Sequence, residues 1–424
     1  MDGASGPGVG HVAVIGAGIV GVSTAIWLQR AGVRVTLIDR EGPASGTSYG
    51  NAGILAAISV VPVTVPGLLG KAPGMLLNPE KPLFLRWSYL PKLAPFLRRY
   101  LAHANDRAVE KISFGLAELL GDSADQHVAL SAGTGAERHV QTGDYVFVYS
   151  SRAAYEAERY GWSLRKRRGY EWEELEGEAL AAFDPALVGR FGFAVRCPGH
   201  GAVTDPGAYV KALWAHFEGQ GGETRIASIS DFALENGRAV RALTDKGPVE
   251  ADQFVLATGA WSGPLAKKLG VTMPLESERG YHIEFYDPSV AFRAPTMVAE
   301  AKFGLTSMEG RLRAAGIVEF GGLDAPPSEA PFKLIERRVR EALPDLKYSR
   351  TERWMGHRPA TADSLPVIGR APKASNVWFG YGHQHVGLTG GPKTGRWLSQ
   401  MIRGERPNVD LTPFAPDRPA VMQA

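Results

Sequence analysis

Along the first forty residues the apolar positions change period twice. Val12, Val14 and Ile15 form a short apolar run, the length of a buried strand, and it stops at Gly16. Ala25 and Leu28 continue at helical spacing until Gly32, and Val35, Leu37 and Ile38 then make a second short run that ends in Asp39. The pattern predicts strand, glycine turn, helix and strand over residues 11–40. Further along, it predicts a helix over 105–130 and strands over 144–149 and 191–195. Another helix opens at Thr204-Asp205-Pro206, with Asp205 as N-cap and Pro206 in the first turn. Between 223 and 261 short strands alternate with Asn236-Gly237 and Lys246-Gly247-Pro248 turns, closing on the apolar run Phe254-Val255-Leu256. Tyr281 to Phe285 alternates apolar and polar, and Gly304 to Phe320 reads as a hairpin about Glu309-Gly310, which suits an antiparallel sheet. A last helix is expected over about 393–402, and residues 405–424, with four prolines, read as a tail.

The first glycine turn carries chemistry. In Gly16-Ala17-Gly18-Ile19-Val20-Gly21 the first glycine makes the tight turn, the second lets backbone approach a pyrophosphate, and the third allows close helix–strand packing. The helix that follows offers N–H groups and positive potential at its start. Asp39, with Arg40 after it, ends the second strand, where a carboxylate can accept a ribose hydroxyl. The pattern points to a dinucleotide without choosing between FAD and NAD. Ala257-Thr258-Gly259, after an apolar strand, is a second place where a parallel sheet delivers backbone to a nucleotide. The helix expected from about Lys393, with Pro392 near its start and the glycine-rich stretch Gly380 to Gly391 before it, has a glycine-flanked N-terminus that can stabilise developing negative charge, for instance on a reduced flavin ring.

Residues 42–70 carry no charge, yet Pro62, Pro66 and several glycines argue against a membrane-spanning helix. Gly46-Thr47-Ser48-Tyr49-Gly50 matches the Gly-x-Ser-x-Gly of a serine hydrolase, but the residues before it make a poor strand. With Asn51 and Gly53, this stretch better suits backbone wrapped around a cofactor. Residues 71–101 interleave basic and aromatic side chains, the mark either of amphipathic helices packed on the protein or of an interfacial membrane anchor.

At 424 residues the chain has material for two domains. Its 47 basic and 44 acidic residues leave a charge of only +3, too little for a nucleic-acid surface. Cys197, the one cysteine, excludes an intramolecular disulfide and a multi-cysteine metal site, and residues 1–10 lack the regions of a signal peptide. A cytoplasmic protein without a bound metal is expected, with peripheral membrane contact through 59–101 as the alternative.

Read together, these pieces resemble the D-amino-acid oxidase superfamily of FAD-dependent oxidoreductases, most closely its bacterial D-amino-acid dehydrogenases, over roughly residues 11–404. The matching pieces are the N-terminal fingerprint, Thr47-Ser48 with Asn51-Ala52-Gly53, Ala257-Thr258-Gly259, Arg279-Gly280-Tyr281, Gly356-His357-Arg358-Pro359 and the loop from Gly382-His383 to Gly387. The resemblance implies an α/β chain, α+β overall, with a Rossmann-like FAD-binding domain and a second, mainly antiparallel-sheet substrate domain. The FAD domain is expected over 11–58, 201–272 and 351–404, the substrate domain over 59–200 and 273–350, and the tail beyond. It implies non-covalent FAD, held by Gly16, Gly18, Ile19, Val20, Gly21, Asp39, Arg40, Thr47, Ser48, Asn51, Ala52, Gly53, Ile229, Ala257, Thr258, Gly259, Gly356, Gly387, Leu388 and Thr389. It also implies that Arg358 binds a substrate carboxylate, with Tyr281 and His383 beside the substrate, and that hydride passes from the alpha carbon to the flavin. The expected substrate is an amino or imino acid. The expected electron acceptor is a quinone or the respiratory chain, because no second strand-embedded GxGxxG is present for NAD(P); an oxygen-using glycine or sarcosine type of oxidase is the alternative.

Overall fold

The computed structural model describes residues 9–418 other than 69, 71–73, 75–77 and 79–81. Its first sheet grows from the strand, turn and helix expected at the N-terminus: strand β1 (His11–Ile15), helix α1 (Ile19–Arg30) and strand β2 (Arg34–Asp39). β1 lies between β2 and Gln253–Leu256, parallel to both, with Val14 opposite Leu37 and Val255. From one edge the order is Val367–Ala371, Ala374–Tyr381, Gln253–Leu256, β1, β2, Glu223–Ile226, and only the strand at the Val367 edge runs antiparallel. Val12, Ala13 and Val14 are fully buried because both faces are covered, which is why β1 reads as a continuous apolar run. Helices α1, Pro206–Gly219 and Gly387–Ile402 cover the Val12 and Val14 side, and a three-stranded antiparallel sheet covers the Ala13 and Ile15 side. The small sheet turns at Asn236-Gly237, both at positive φ (50° and 73°), as the sequence requires.

The second sheet has nine strands and is mainly antiparallel. From one edge it runs Thr351–Thr361, Leu275–Tyr286, Arg311–Phe320, Phe303–Met308, Thr296–Val298, Val140–Tyr149, Phe193–Val203 and Glu173–Leu175, with the short Leu83–Leu85 paired to Arg311–Phe320. The hairpin about Glu309-Gly310 is present, with Gly310 at φ 69°.

Four features differ from the sequence reading. The helix expected over 105–130 is two, Asp106–Leu120 and Ser123–Ser131, broken at Gly121-Asp122. Residues 351–361 belong to the second sheet, so the third FAD-domain segment starts after Thr361, because strand pairing with Leu275–Tyr286 holds these residues there. Likewise 201–203 complete the strand Phe193–Val203 before the chain returns to the first sheet through a helix capped by Asp205. Residues 405–418 are docked: Phe414 is buried against Trp397, and the buried Arg418 pairs with Asp363 at 2.6 Å.

Most of 71–81 lies outside the described residues. Beyond it, helix Leu90–Ala102 turns Leu93, Phe96 and Tyr100, at spacings of three and four, onto Phe320 and Ala360. Each such buried side chain contributes roughly 1.5–3 kcal/mol, so this apolar face is committed to the protein core. Trp87 alone of the nearby aromatics stands well out, at 58 % exposure. Among the described residues no helix is long and apolar enough to cross a membrane.

Candidate active site

A cavity of about 430 Å³ opens at the C-terminal ends of β1, β2 and Gln253–Leu256, the place where parallel sheets bind nucleotides. Three glycines shape it differently. Gly16, at φ 108°, has no room for a Cβ beside the Ala257 carbonyl, and a Cβ on Gly21 would overlap the Gly16 carbonyl oxygen, so both are packing requirements. Gly18 would meet only Ser48 Oγ at 3.2 Å, which leaves its outer side open to a ligand. The first N–H of α1, on Ile19, donates to Ser48 Oγ at 3.0 Å, and α1 has no acidic residue in its first turn. The helix's own first turn therefore sets no charge against a pyrophosphate.

The carboxylate of Asp39 lines the cavity and is already at work. It accepts from the backbone N–H of Ala17 at 2.7 Å, Glu41 at 2.9 Å and Gly42 at 3.0 Å. The residue expected to meet a ribose thus also fixes the glycine turn.

Of the residues expected at the cofactor, Gly16, Gly18, Ile19, Val20, Arg40, Thr47, Ser48, Asn51, Ile229, Ala257, Thr258, Gly259, Gly387 and Leu388 line the same cavity, as does His383. The remainder are not among its lining residues. Gly53, at φ 76°, takes the Val203 N–H on its carbonyl at 2.7 Å, fastening the 47–53 segment to the second sheet, with Ala52 between it and Asn51. Thr389 donates to Ile54 O at 3.2 Å, and Gly356 is covered by the ring of Trp354. Thr47 reaches the other domain, donating to His357 O at 2.7 Å. At the far end Arg40 lies over the Trp261 ring at 4.0 Å, near Ile229.

Side-chain parity along Leu275–Tyr286 decides what faces this cavity. Glu278, Gly280, His282 and Glu284 share one face; Gly280 lies against the Arg358 guanidinium, and His282 Nδ1 reaches Gly50 O at 3.0 Å. Tyr281 points the other way, into the core edge-on to Phe332, with its hydroxyl on Glu319. It is not brought to the site, because its odd position puts it on the face covered by helix Glu329–Ala342.

Arg358 stands opposite Glu278 across the two strands and donates to Ile317 O at 2.9 Å and Gly316 O at 3.4 Å. Its side chain is part-buried and lies beside Pro359, which lines the cofactor cavity. Two of five guanidinium N–H groups are committed, and three remain for a ligand. His385 is deep but accessible; burial and the Arg358 charge hold it down at about 4. His383 is held at about 3 by burial, and its Nε2 meets Thr394 Oγ1 at 2.9 Å, while that hydroxyl donates to Gly390 O. Both rings are neutral at pH 7. Burial raises the Glu278 carboxyl, against a weaker downward pull from Arg358 and the Tyr100 hydroxyl at 3.3 Å.

The sequence reading missed Glu278, Trp354 and Arg313. Trp354 stacks on His282 at 5.1 Å and covers Gly50, and Arg313 donates to Tyr49 O at 3.2 Å. The alternation of Glu276, Glu278, His282 and Glu284 was the available signal: a polar strand face looks solvated until the other domain is seen to cover it.

A dinucleotide-binding sheet joined to an antiparallel sheet that carries an inward arginine is an arrangement suited to a dinucleotide-dependent oxidoreductase. The family described as FAD dependent oxidoreductase matches residues 11–401, and the chain belongs to it. Its cofactor is FAD, which the uncharged first turn of α1, the open side of Gly18 and the cavity fit. The chain is 38% identical to a D-amino-acid oxidase of Bradyrhizobium diazoefficiens, covering 96% of this chain and 98% of that one. It is 28% identical, with the same coverage, to a D-amino acid dehydrogenase of Allorhizobium ampelinum. In fold it is similar to glycine oxidase from Geobacillus kaustophilus, with TM-score 0.72 and 20% identity over 96% of this chain and 98% of that one. Cys197, the only thiol, lies buried in another cluster and does not line the FAD cavity.

Proposed function

We propose that the chain oxidises an amino or imino acid at its Cα–N bond, in the manner of a D-amino-acid dehydrogenase. The observation that carries this reading is Arg358, part-buried next to the cavity-lining Pro359, with three N–H groups unspent. A guanidinium fork pairs bidentately with a carboxylate and fixes which substituent of the alpha carbon is presented to the cofactor. Glu278 stands opposite, its carboxyl raised by burial, which weakens its competition for the guanidinium. His383 and His385, neutral, offer hydrogen bonds and do not store the amine proton, so the amine reacts in its neutral form. Bound FAD supplies the two-electron acceptor. The substrate loses a hydride from Cα and a proton from nitrogen, and the resulting imine hydrolyses to a keto acid or persists if cyclic.

Anaerobic bleaching of the purified yellow protein by D-amino acids, glycine derivatives and cyclic imino acids tests the reading. At least one class should bleach the flavin, and failure of all three would overturn it. We further propose a quinone as electron acceptor, for want of a second dinucleotide motif. The second reading is an oxygen-using oxidase, favoured by the name of the 38%-identical relative. Faster reoxidation by a soluble quinone analogue than by air supports the dehydrogenase, and the reverse the oxidase.

A further inference from the structure

Three consecutive carbonyls, of Tyr49, Gly50 and Asn51, are held by side chains of the second sheet. Arg313 donates to Tyr49 O at 3.2 Å and to Asn51 O, and His282 Nδ1 lies 3.0 Å from Gly50 O between them. A carbonyl only accepts, so Nδ1 carries the proton, and the ring is neutral because burial and the Arg313 charge hold it at about 3. Arg313 is fully buried and fixed by Glu284, whose Oε1 takes Nη2 at 2.6 Å and Nε at 3.0 Å; Arg311 then joins Glu284 to Asp205, the cap of helix Pro206–Gly219. Trp354 stacks on His282 and covers Gly50, where a side chain would overlap the indole.

A planar trans peptide holds C=O and N–H on opposite sides. Carbonyls 49, 50 and 51 on the second-sheet side therefore turn the N–H groups of Gly50, Asn51 and Ala52 the other way. None of these three N–H groups makes a well-formed hydrogen bond to a described residue, although the chain turns through 47–50, while their neighbours do: Tyr49 N–H donates to Gly46 O and Gly53 N–H to Asn51 Oδ1. Backbone donors in a protein interior are rarely left unpaired. Here they form a run of three on the segment whose Asn51 lines the cofactor cavity.

We propose that Arg313 and His282 are positioning residues for the flavin: by gripping three carbonyls of 49–51 they aim the N–H groups of 50–52 at the bound cofactor. The inference rests on FAD occupying the cavity. It makes the second sheet, through two side chains that need not touch substrate, a determinant of how tightly and in what environment the flavin is held.

The test uses holoenzyme variants. His282→Phe keeps a ring against Trp354 and loses the bond to Gly50 O; His282→Gln restores a donor; Arg313→Lys keeps a cation beside Glu284 that cannot span both carbonyls. FAD release on dilution is followed by the fluorescence of the freed cofactor, together with the visible flavin spectrum and the apoprotein melting midpoint. His282→Phe and Arg313→Lys should release FAD about tenfold faster, one hydrogen bond's worth, and shift the flavin bands. His282→Gln should stay near wild type, and the His282→Phe apoprotein should melt close to wild type. If Arg313→Lys does not fold, the histidine pair decides alone. Wild-type release and spectra in His282→Phe would overturn the proposal, as would equal effects of Phe and Gln. A wild-type protein that carries no flavin would overturn the cofactor reading itself.

Discussion

Asp39→Ala separates two roles that one carboxylate fills. In the folded chain it accepts from Ala17, Glu41 and Gly42 N–H, and Ala17 is fully buried. Removing the side chain takes the acceptor from the buried Ala17 donor, at about 1–3 kcal/mol, with about 0.5–1 kcal/mol for each of the two outer bonds. The loss falls on the protein before any cofactor binds. The apoprotein should therefore be destabilised by about 2–5 kcal/mol, a fall of roughly 2–6 °C in melting midpoint for a chain of this size. Asp39→Asn, which keeps one acceptor oxygen, should lose about half as much. Calorimetry of apoprotein, paired with FAD titration by flavin fluorescence, measures both roles. An Asp39→Ala apoprotein melting within a degree of wild type while FAD affinity falls would mean that the carboxylate serves the ribose alone, and would refute the argument from the turn.

Arg358→Ala should lower kcat/KM by about 30-fold to 150-fold, the worth of a charge-assisted contact of about 2–3 kcal/mol, with FAD content unchanged; unaltered kinetics would remove Arg358 from the site. Glu278 has its folded pKa raised by burial, so its contribution to stability is full below the ordinary carboxylate range and is lost as pH rises through the raised value. Glu278→Gln should accordingly gain melting temperature over wild type at pH 8, the gap closing toward pH 4.5; a gap independent of pH would contradict this. Gly21→Ala puts a methyl into the Gly16 carbonyl and should abolish FAD-bound protein, whereas Gly18→Ala, facing Ser48 Oγ at 3.2 Å, should fold and bind FAD more weakly. Purified FAD content and circular dichroism distinguish them, and equal behaviour of the two variants would count against the packing argument.

Local rules carried the sequence reading where the cause is local. The β1–α1–β2 unit, the Asn236-Gly237 turn and the Asp205 cap are decided by residues within a few positions of each other. The site was legible in its motifs but not in its faces. Arg279-Gly280-Tyr281 announces a strand, yet which neighbours look inward is a matter of parity set by pairing with Thr351–Thr361, some eighty residues away. The same pairing moved 351–361 into the second sheet. Arg313 and Trp354 reach Tyr49, Asn51 and Gly50 across more than 260 residues, and no periodicity in the chain encodes that meeting.

The order of strands in the first sheet has a consequence for biogenesis. β1 is made well before its second parallel neighbour at 253–256, and that strand in turn waits for 374–381. Between them, the 275–361 part of the second sheet must be made and stowed. Domains that are continuous in sequence can fold one after another during synthesis. This one cannot close early, so an incomplete sheet with exposed apolar strands persists through most of translation, and the helix start at Gly387 that lines the cavity arrives last of all. Cofactor loading is then a late event, and nascent chains cut short before about residue 387 would be substrates for chaperones and proteases and would not be partial flavoproteins.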